Sequence, residues 1–156
     1  CPDRHGPRKE TTMPEARRRI VIDRSPDAVF AFFADPNNDL RWRPIVKRIA
    51  AAGPVRVGSV VHQVVTGPGG RGGFPADYEV TAYEPPSRFA FRVIKGPVRP
   101  VGEYRFAPAG SGTEVSFSIT AELGRITKLF LGRQVQNSMD LDVAALDKAK
   151  ALIEST

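Results

Sequence analysis

The chain has 156 residues, 41% of them hydrophobic, and a formal net charge of +6. A chain of this length can bury a core without disulfides or metal ions. Its single cysteine excludes an internal disulfide and a cysteine-based zinc site, and two histidines are too few for a histidine-rich metal site. No apolar run approaches the roughly 18 residues of a membrane span. We therefore expect a soluble, cytoplasmic protein with no metal and no cofactor.

The positive charge is concentrated near the N-terminus. Residues 1–19 hold six Arg or Lys residues and three acidic residues. Residues 20–156 hold 17 Arg or Lys residues and 14 acidic residues. Residues 1–15 are rich in proline and charge and have neither a helical nor a strand period, which predicts a disordered basic lead or a tag remnant. A single domain is expected over residues 16–156.

The domain is predicted to begin with one strand and two short helices. The β-branched run 20–22 indicates the strand, and Ser25-Pro26 supplies an N-cap and a first-turn proline for the first helix. Asp35-Pro36 ends that helix, because the residue before a proline disfavours the helical conformation. A second short helix or turn covers residues 37–42 and ends at Pro44.

The middle of the chain has the pattern of an antiparallel meander. In the last stretch the apolar residues Val115, Phe117 and Ile119 alternate with polar ones, as in a sheet with one face in water. The glycine-rich segment 67–73 predicts a hairpin tip beside the sheet, since it lacks the ending of a phosphate-binding loop. The six predicted strands cover residues 45–52, 57–66, 76–84, 88–94, 98–107 and 113–122.

Residues 125–154 return to a period of 3.6 and contain no proline, which predicts one long C-terminal helix. At 1.5 Å per residue such a helix is about 45 Å long and needs a large apolar surface to pack against. The six strands together with the first strand are the only candidate surface. The sheet is therefore predicted to curl around the helix.

Six short motifs combine capping and turn signals at intervals along the chain: Ile22-Asp23-Arg24-Ser25-Pro26-Asp27-Ala28-Val29-Phe30, Ala34-Asp35-Pro36, Trp42, Val57-Gly58, Tyr83-Glu84-Pro85-Pro86-Ser87-Arg88-Phe89 and Gly112-Thr113-Glu114-Val115. Together they resemble the START/polyketide cyclase superfamily, in particular its bacterial polyketide cyclase/dehydrase branch, over about residues 16–152. The resemblance implies an α+β helix-grip fold, with a seven-stranded curled antiparallel sheet around a long C-terminal helix and two short helices after the first strand. It also implies an internal cavity. Members include aromatase/cyclases and lipid carriers, so function must be argued from the site.

Inward-facing aromatic residues are predicted to line this cavity and to suit a planar or isoprenoid ligand. Strand alternation selects Tyr78, Phe91, Tyr104, Phe106 and Phe117. The candidate ligand-binding set also includes Trp42, His62, Arg71, Phe130 and Met139. For the apolar members the alternative is packing in a filled core.

His62 is the best catalytic candidate, because a histidine titrates near neutral pH. It would reach the cavity if the face it shares with Val60 and Val64 points inward; the alternative is a surface or core histidine bonded to a neighbour. Tyr78 or Tyr104 could assist it in proton transfer, although orienting a ligand is the other role open to them. No Ser-His-Asp arrangement or metal-ligand spacing can be assembled.

Three functions follow from these residues. The first is binding of an apolar, aromatic or polyketide-like small molecule in the cavity. The second is a polyketide cyclase, aromatase or dehydratase that uses His62 with Tyr78 or Tyr104. The third is an interaction module that uses the basic lead, but no aromatic residue lies among residues 17–19 to stack a base, so nucleic-acid binding is not expected.

Overall fold

An antiparallel sheet and a C-terminal helical region make up most of the structure. The computed structural model describes residues 14–67, 70–96, 98–123 and 125–156, the last range without the side chains of 125–131. The elements in chain order are β1 (Glu15–Ile22), α1 (Pro26–Ala34), a 3-10 turn (Pro36–Asn38), α2 (Asp39–Trp42), β2 (Val46–Ala50), β3 (Val60–Thr66), β4 (Gly73–Pro75), β5 (Tyr78–Glu84), β6 (Arg88–Val93), β7 (Val101–Ala109), β8 (Gly112–Thr120), α3 (Arg125–Ala144) and α4 (Leu146–Glu154).

The strands form one curled sheet in the order β1-β8-β7-β6-β5-β3-β2, and β4 pairs with β3 off this path. All pairings are antiparallel. The predicted seven-stranded helix-grip sheet is confirmed. Strand β4 is an addition that the sequence did not predict, and it forms because Gly73 and Phe74 pair back onto Thr66 and Val65 across the glycine-rich segment.

Helix α1 is capped as its sequence predicts, and the turn that follows it has a cap of its own. The side-chain oxygen of Ser25 accepts a hydrogen bond from the Ala28 backbone N–H at 3.3 Å. Asp35 accepts one from the Asn37 backbone N–H at 3.0 Å, where α1 has ended and the 3-10 turn begins. The predicted second helix is therefore a 3-10 turn followed by the single turn α2.

The C-terminal helix over residues 125–154 consists of two consecutive segments, α3 and α4, which meet at Ala145. At this point the Lys148 backbone N–H donates to the Ala145 carbonyl at 3.0 Å. The guanidinium of Arg18 on β1 donates to the Ala144 carbonyl at 3.2 Å and to the Asp147 carboxylate at 2.7 Å. An arginine of the sheet thus supplies a donor to a helix carbonyl where the helix is interrupted.

Three aromatic side chains lie side by side across the inner face of the sheet, and we call them the aromatic row: Phe89, Tyr104 and Phe117. The rings of Tyr104 and Phe117 are stacked, with centroids 4.3 Å apart. Helix α1 covers this row, since the ring of its Phe33 lies 5.2 Å from that of Tyr104. The solid core of the protein is at this end of the sheet.

The neighbouring inward row contains Phe91, Gly102 and Ile119, and we call it the glycine row. It lies two residues along each strand from the aromatic row. Because its middle strand carries no side chain at this position, the ring of Phe91 lies over the glycine backbone. Phe91 and Ile119 of this row form part of the wall of the candidate site.

The predicted division into a lead and a domain is not tested by the structure. Residues 1–13 lie outside the described residues, and β1 begins at Glu15, the last residue of the predicted lead. Among the described residues, no helix is both long and apolar enough to cross a membrane.

Candidate functional site

A cavity of about 140 Å³ lies between the sheet and α3 and is partly open to solvent. The glycine row contributes Phe91 and Ile119 to its wall. The hairpin of β3 and β4 and the segment around Gly96 border its opening. Most of the remaining wall is aliphatic, and it includes Ile45, Val65, Val93, Val98, Val135 and Met139.

Gly102 determines where the ring of Phe91, a residue of the cavity wall, can lie. A methyl group at Gly102 would overlap the ring of Phe91, which lies directly over the glycine backbone. The ring can therefore lie close to the sheet only because residue 102 has no side chain. The space above Gly102 is thus filled by the ring of Phe91, which forms part of the cavity wall.

A buried ionic cluster of Asp39, Arg43 and Asp142 forms the polar end of the site, where Arg43 and Asp142 line the cavity. Arg43 Nε and Nη2 donate to the two oxygens of Asp142, both at 3.1 Å. Arg43 Nη1 donates to Asp39 Oδ2, also at 3.1 Å. All three guanidinium nitrogens are therefore bonded to carboxylates, in part through the bidentate geometry that makes such pairs strong.

Burial changes the protonation of this cluster. The loss of solvation raises the pKa of Asp39 to about 6, because it outweighs the attraction of Arg43, and the Asp142 carboxylate adds to the rise. Burial acts to lower the pKa of Arg43, but Asp142 and Asp39 raise it well above its ordinary value. Arg43 is thus a permanent cation between two carboxylates, of which Asp39 binds a proton in mildly acidic solution.

Gln63 of β3 is the third buried polar residue in the cavity wall and is only 4% exposed. Its Nε2 donates to the Ala76 carbonyl at 3.0 Å. Among the described residues its Oε1 has no hydrogen-bond donor. A buried polar atom without a partner costs about 1–3 kcal/mol, so Gln63 destabilises the fold by about this amount unless a group outside the described residues bonds to it.

Comparison with known proteins identifies the family of the chain. The model of the family described as polyketide cyclase/dehydrase and lipid transport matches residues 13–153. The chain belongs to this family. The uncharacterized protein Rv2574 of Mycobacterium tuberculosis is 26% identical over 127 residues, which cover 78% of this chain and 74% of that protein.

Solved structures have the same fold as this polyketide cyclase/dehydrase family member. TTHA0849 from Thermus thermophilus is 21% identical and aligns with a TM-score of 0.75 over 91% of this chain and 98% of its own. The Zhui aromatase/cyclase from Streptomyces sp. R1128 is 14% identical and aligns with a TM-score of 0.69 over 89% of this chain and 94% of its own. At these identities the similarity establishes the fold alone.

In this family member most of the predicted ligand-binding aromatics belong to the solid core. Of the predicted set, Phe91 and Met139 line the cavity. The other aromatic candidates are buried but do not line it: Trp42, Tyr78, Tyr104, Phe106 and Phe117. They point inward, as alternation requires, yet they pack on one another and on α1 instead of facing free space.

The two tyrosines proposed for proton transfer are in environments that oppose ionisation. Burial raises the pKa of Tyr78 and of Tyr104 far above the ordinary tyrosine value. Both hydroxyls therefore keep their protons near neutral pH. Their place in the fold is the aromatic core, where Tyr78 lies against Phe91 with ring centroids 5.2 Å apart.

His62 lies on the outer face of β3, which corrects the prediction that it could point into the cavity. It shares this face with Val60, as considered from the sequence, but the inward residues of the strand are Val61 and Gln63. The His62 side chain is 72% exposed, and its Nδ1 lies 2.6 Å from Asp77 Oδ2. This arrangement is a surface histidine bonded to a neighbour.

Two further candidates do not contribute to the described cavity. Arg71 is exposed in the glycine-rich segment and does not line the wall, although Gly67 and Phe74 on either side of it do. Phe130 lies outside the residues whose side chains the structure describes. Among the described residues, no cluster of three His, Cys, Asp or Glu side chains could hold a metal ion.

Sequence reasoning missed the polar end of the cavity. One signal was available for Asp142, which occupies a buried position on the apolar stripe that Met139 and Val143 of α3 form with Leu146 of α4. A carboxylate at such a position requires a buried cation as partner. The partner, Arg43, follows α2, and no local pattern relates it to a residue 99 positions away.

Proposed function

We propose that the protein binds an apolar, aromatic or polyketide-like small molecule in the cavity between the sheet and α3. The observation that carries this proposal is an aliphatic cavity wall that ends at a few buried polar side chains, which is the usual composition of ligand sites. The family description, with polyketide cyclases and lipid transport, supports a hydrophobic ligand. The fold shared with an aromatase/cyclase supports an aromatic one.

The cavity volume limits which part of a ligand it encloses. An apolar cavity of about 150 Å³ engineered in another protein takes up benzene, and the cavity here has about 140 Å³. One aromatic ring would fill the closed part. The remainder of a larger ligand would extend through the opening beside Val98 and Phe74.

Cyclase, aromatase or dehydratase activity is the alternative, and the family description and the aromatase/cyclase relative favour it. In that case His62 and Tyr78 or Tyr104 would move protons. His62, however, is exposed on the opposite face of the sheet, and both tyrosines hold their protons tightly. The three groups do not meet around the cavity, so we favour binding over proton transfer by these residues.

Two further expectations stay predictions. The interaction function of the basic lead depends on residues 1–15, most of which lie outside the described residues. A cytoplasmic location is expected from composition alone.

Titration calorimetry with single-ring and two-ring aromatic compounds, quinones and a fatty acid tests the binding proposal. Val98→Phe should weaken binding at least about tenfold, because the larger side chain occupies the opening of the cavity. Val101→Phe is the matched control, since Val101 is 52% exposed and outside the cavity wall, and it should leave binding unchanged. A folded protein that binds none of these compounds would overturn the proposal.

A further inference from the structure

We propose that the opening of the cavity docks on an anionic lipid surface, with cations at the headgroups and Phe74 in contact with the acyl chains. Two segments form this docking surface, the hairpin of β3 and β4 and the loop between β6 and β7, and we call them the rim. A lipid surface is a partner that the proposed function does not include. A cavity that opens toward lipid receives an apolar ligand without exposing it to water.

The charged side chains of the rim are all cations. Arg71, Lys95 and Arg99 are exposed, and the sequence has no Asp or Glu over residues 40–76 and 93–102. Lys47 of β2 is a fourth cation beside the rim, because its Cδ would lie 3.6 Å from a Cβ atom placed on Gly73 of β4. In the part of the chain that the structure describes, none of the four forms an ion pair. Their charge is therefore available to an external anion.

The two segments of the rim are in contact, so their cations flank one opening. A Cβ atom placed on Gly96 would lie 2.6 Å from the Pro75 carbonyl oxygen. Arg99 Nε donates to the Gly96 carbonyl at 3.4 Å, which places this guanidinium beside a residue of the cavity wall. On the part of α3 that lines the cavity, the exposed charges are Arg133 and Asp140, which cancel. The excess positive charge is therefore on the rim.

Phe74 gives the rim an apolar contact. Its ring is 40% exposed although it packs on the backbone of Gly67, where a Cβ atom would overlap it. The next residue, Pro75, is also exposed and lines the cavity with Phe74. An exposed ring among cations, in front of an apolar cavity, matches an anionic membrane interface, where headgroup charge lies next to hydrocarbon. Nucleic acids and acidic proteins offer the charge without the hydrocarbon.

Sedimentation with lipid vesicles tests the wild-type chain in the absence of any cavity ligand. We expect at least about tenfold tighter binding to phosphatidylcholine vesicles that contain one third phosphatidylglycerol than to vesicles of phosphatidylcholine alone. Binding to the mixed vesicles should weaken as the salt concentration rises from about 50 to about 500 mM, because salt screens exposed charges. A chain that binds the mixed vesicles no better than the neutral ones would overturn this proposal. The ligand titrations decide the proposed function separately, so either can fail alone.

Variants then assign vesicle binding to the rim. Arg71→Gln combined with Arg99→Gln should weaken binding to the mixed vesicles about 25-fold, at about fivefold for each cation near an anionic surface. If this protein fails to fold, Lys47→Gln combined with Lys95→Gln takes its place, with the same expected loss. Phe74→Ala should weaken binding several-fold, since it removes the ring that contacts the acyl chains. Unchanged binding in folded Phe74→Ala would contradict the docking of an apolar rim on lipid.

Matched controls lie in the loop before β3, at the other end of that strand. Arg56 is an exposed arginine and Val57 is 60% exposed. Strand β3, with seven residues, separates them from the rim by about 20 Å. Arg56→Gln and Val57→Ala should leave vesicle binding unchanged. If Arg56→Gln weakened binding as much as Arg71→Gln, net charge and not the rim would cause the binding, and the proposal would be wrong.

Discussion

The aromatic row and the glycine row are neighbours on the same face of one sheet, yet one is packed solid and the other leaves a cavity. Phe89, Tyr104 and Phe117 occupy the three central strands of the first row, and α1 covers them. In the second row Gly102 takes the central position. The aromatic row thus belongs to the packed core, whereas Phe91 and Ile119 of the glycine row border the cavity of the proposed binding site.

Loss of a ring from the solid row should have the largest effect on stability. Phe117 is 1% exposed and stacked on Tyr104, so Phe117→Ala should lower the free energy of unfolding by about 3–5 kcal/mol. Phe74→Ala at the cavity opening, where the ring is 40% exposed, should cost about 1 kcal/mol or less. Urea denaturation measures both. If Phe117→Ala and Phe74→Ala lowered the free energy of unfolding equally, the aromatic row would not be packed more tightly than the cavity opening.

The polar end of the cavity should make stability depend on pH through Asp39. Its pKa is about 6 in the folded protein and 3.8 without the fold, so between these values only the folded chain holds the proton. The contribution of Asp39 to the free energy of unfolding is therefore greatest below pH 3.8 and decreases as the pH rises from there to about 6. The decrease amounts to about 3 kcal/mol and ends above about pH 6.

The variant Asp39→Asn isolates this contribution, because other carboxylates titrate in both proteins. The free energy of unfolding of the wild type minus that of Asp39→Asn should fall from pH 4 to pH 6 and then stay constant. Urea denaturation at several pH values measures it. A difference that is constant over the whole range would show that Asp39 does not titrate as a buried group.

The smallest effect is expected at the outer face. His62→Ala removes a pair with Asp77 in which the imidazole is 72% exposed, and exposed pairs contribute about 0–1 kcal/mol. Ligand affinity should not change, because the cavity is on the other face of the sheet. Thermal melting and calorimetric titration check the two statements. If a folded His62→Ala protein lost ligand binding, the prediction would be wrong and His62 would belong to the binding site.

Local signals in the sequence predicted the elements of the fold well. Ser25-Pro26 and Asp35-Pro36 define the ends of α1 through hydrogen bonds that involve only nearby residues. In β8 one apolar face alternates with one polar face, so its inward residues can be read directly. Neither signal depends on the rest of the chain, which is why both predictions hold in the structure.

The candidate site was harder to predict because it depends on distant residues. Both faces of β3 carry valines, so alternation alone could not decide whether His62 or Gln63 points inward. The pairing of Arg43 with Asp142 joins two elements that only the complete fold brings together. Whether an inward ring borders free space also depends on its neighbours across the sheet. The ring of Phe91 lines the cavity, whereas the ring of Phe117 points inward but packs on Tyr104.

The close approach of Phe91 to Gly102 has a consequence for how the wall of the cavity can change. Because residue 102 has an inward position but contributes no side-chain contact, an added methyl group there would overlap the Phe91 ring, which would have to move. The hydrogen bonds of the strands would stay the same, since they involve only the backbone. The shape of the cavity wall can thus change through one residue, while the pairing of the strands is kept.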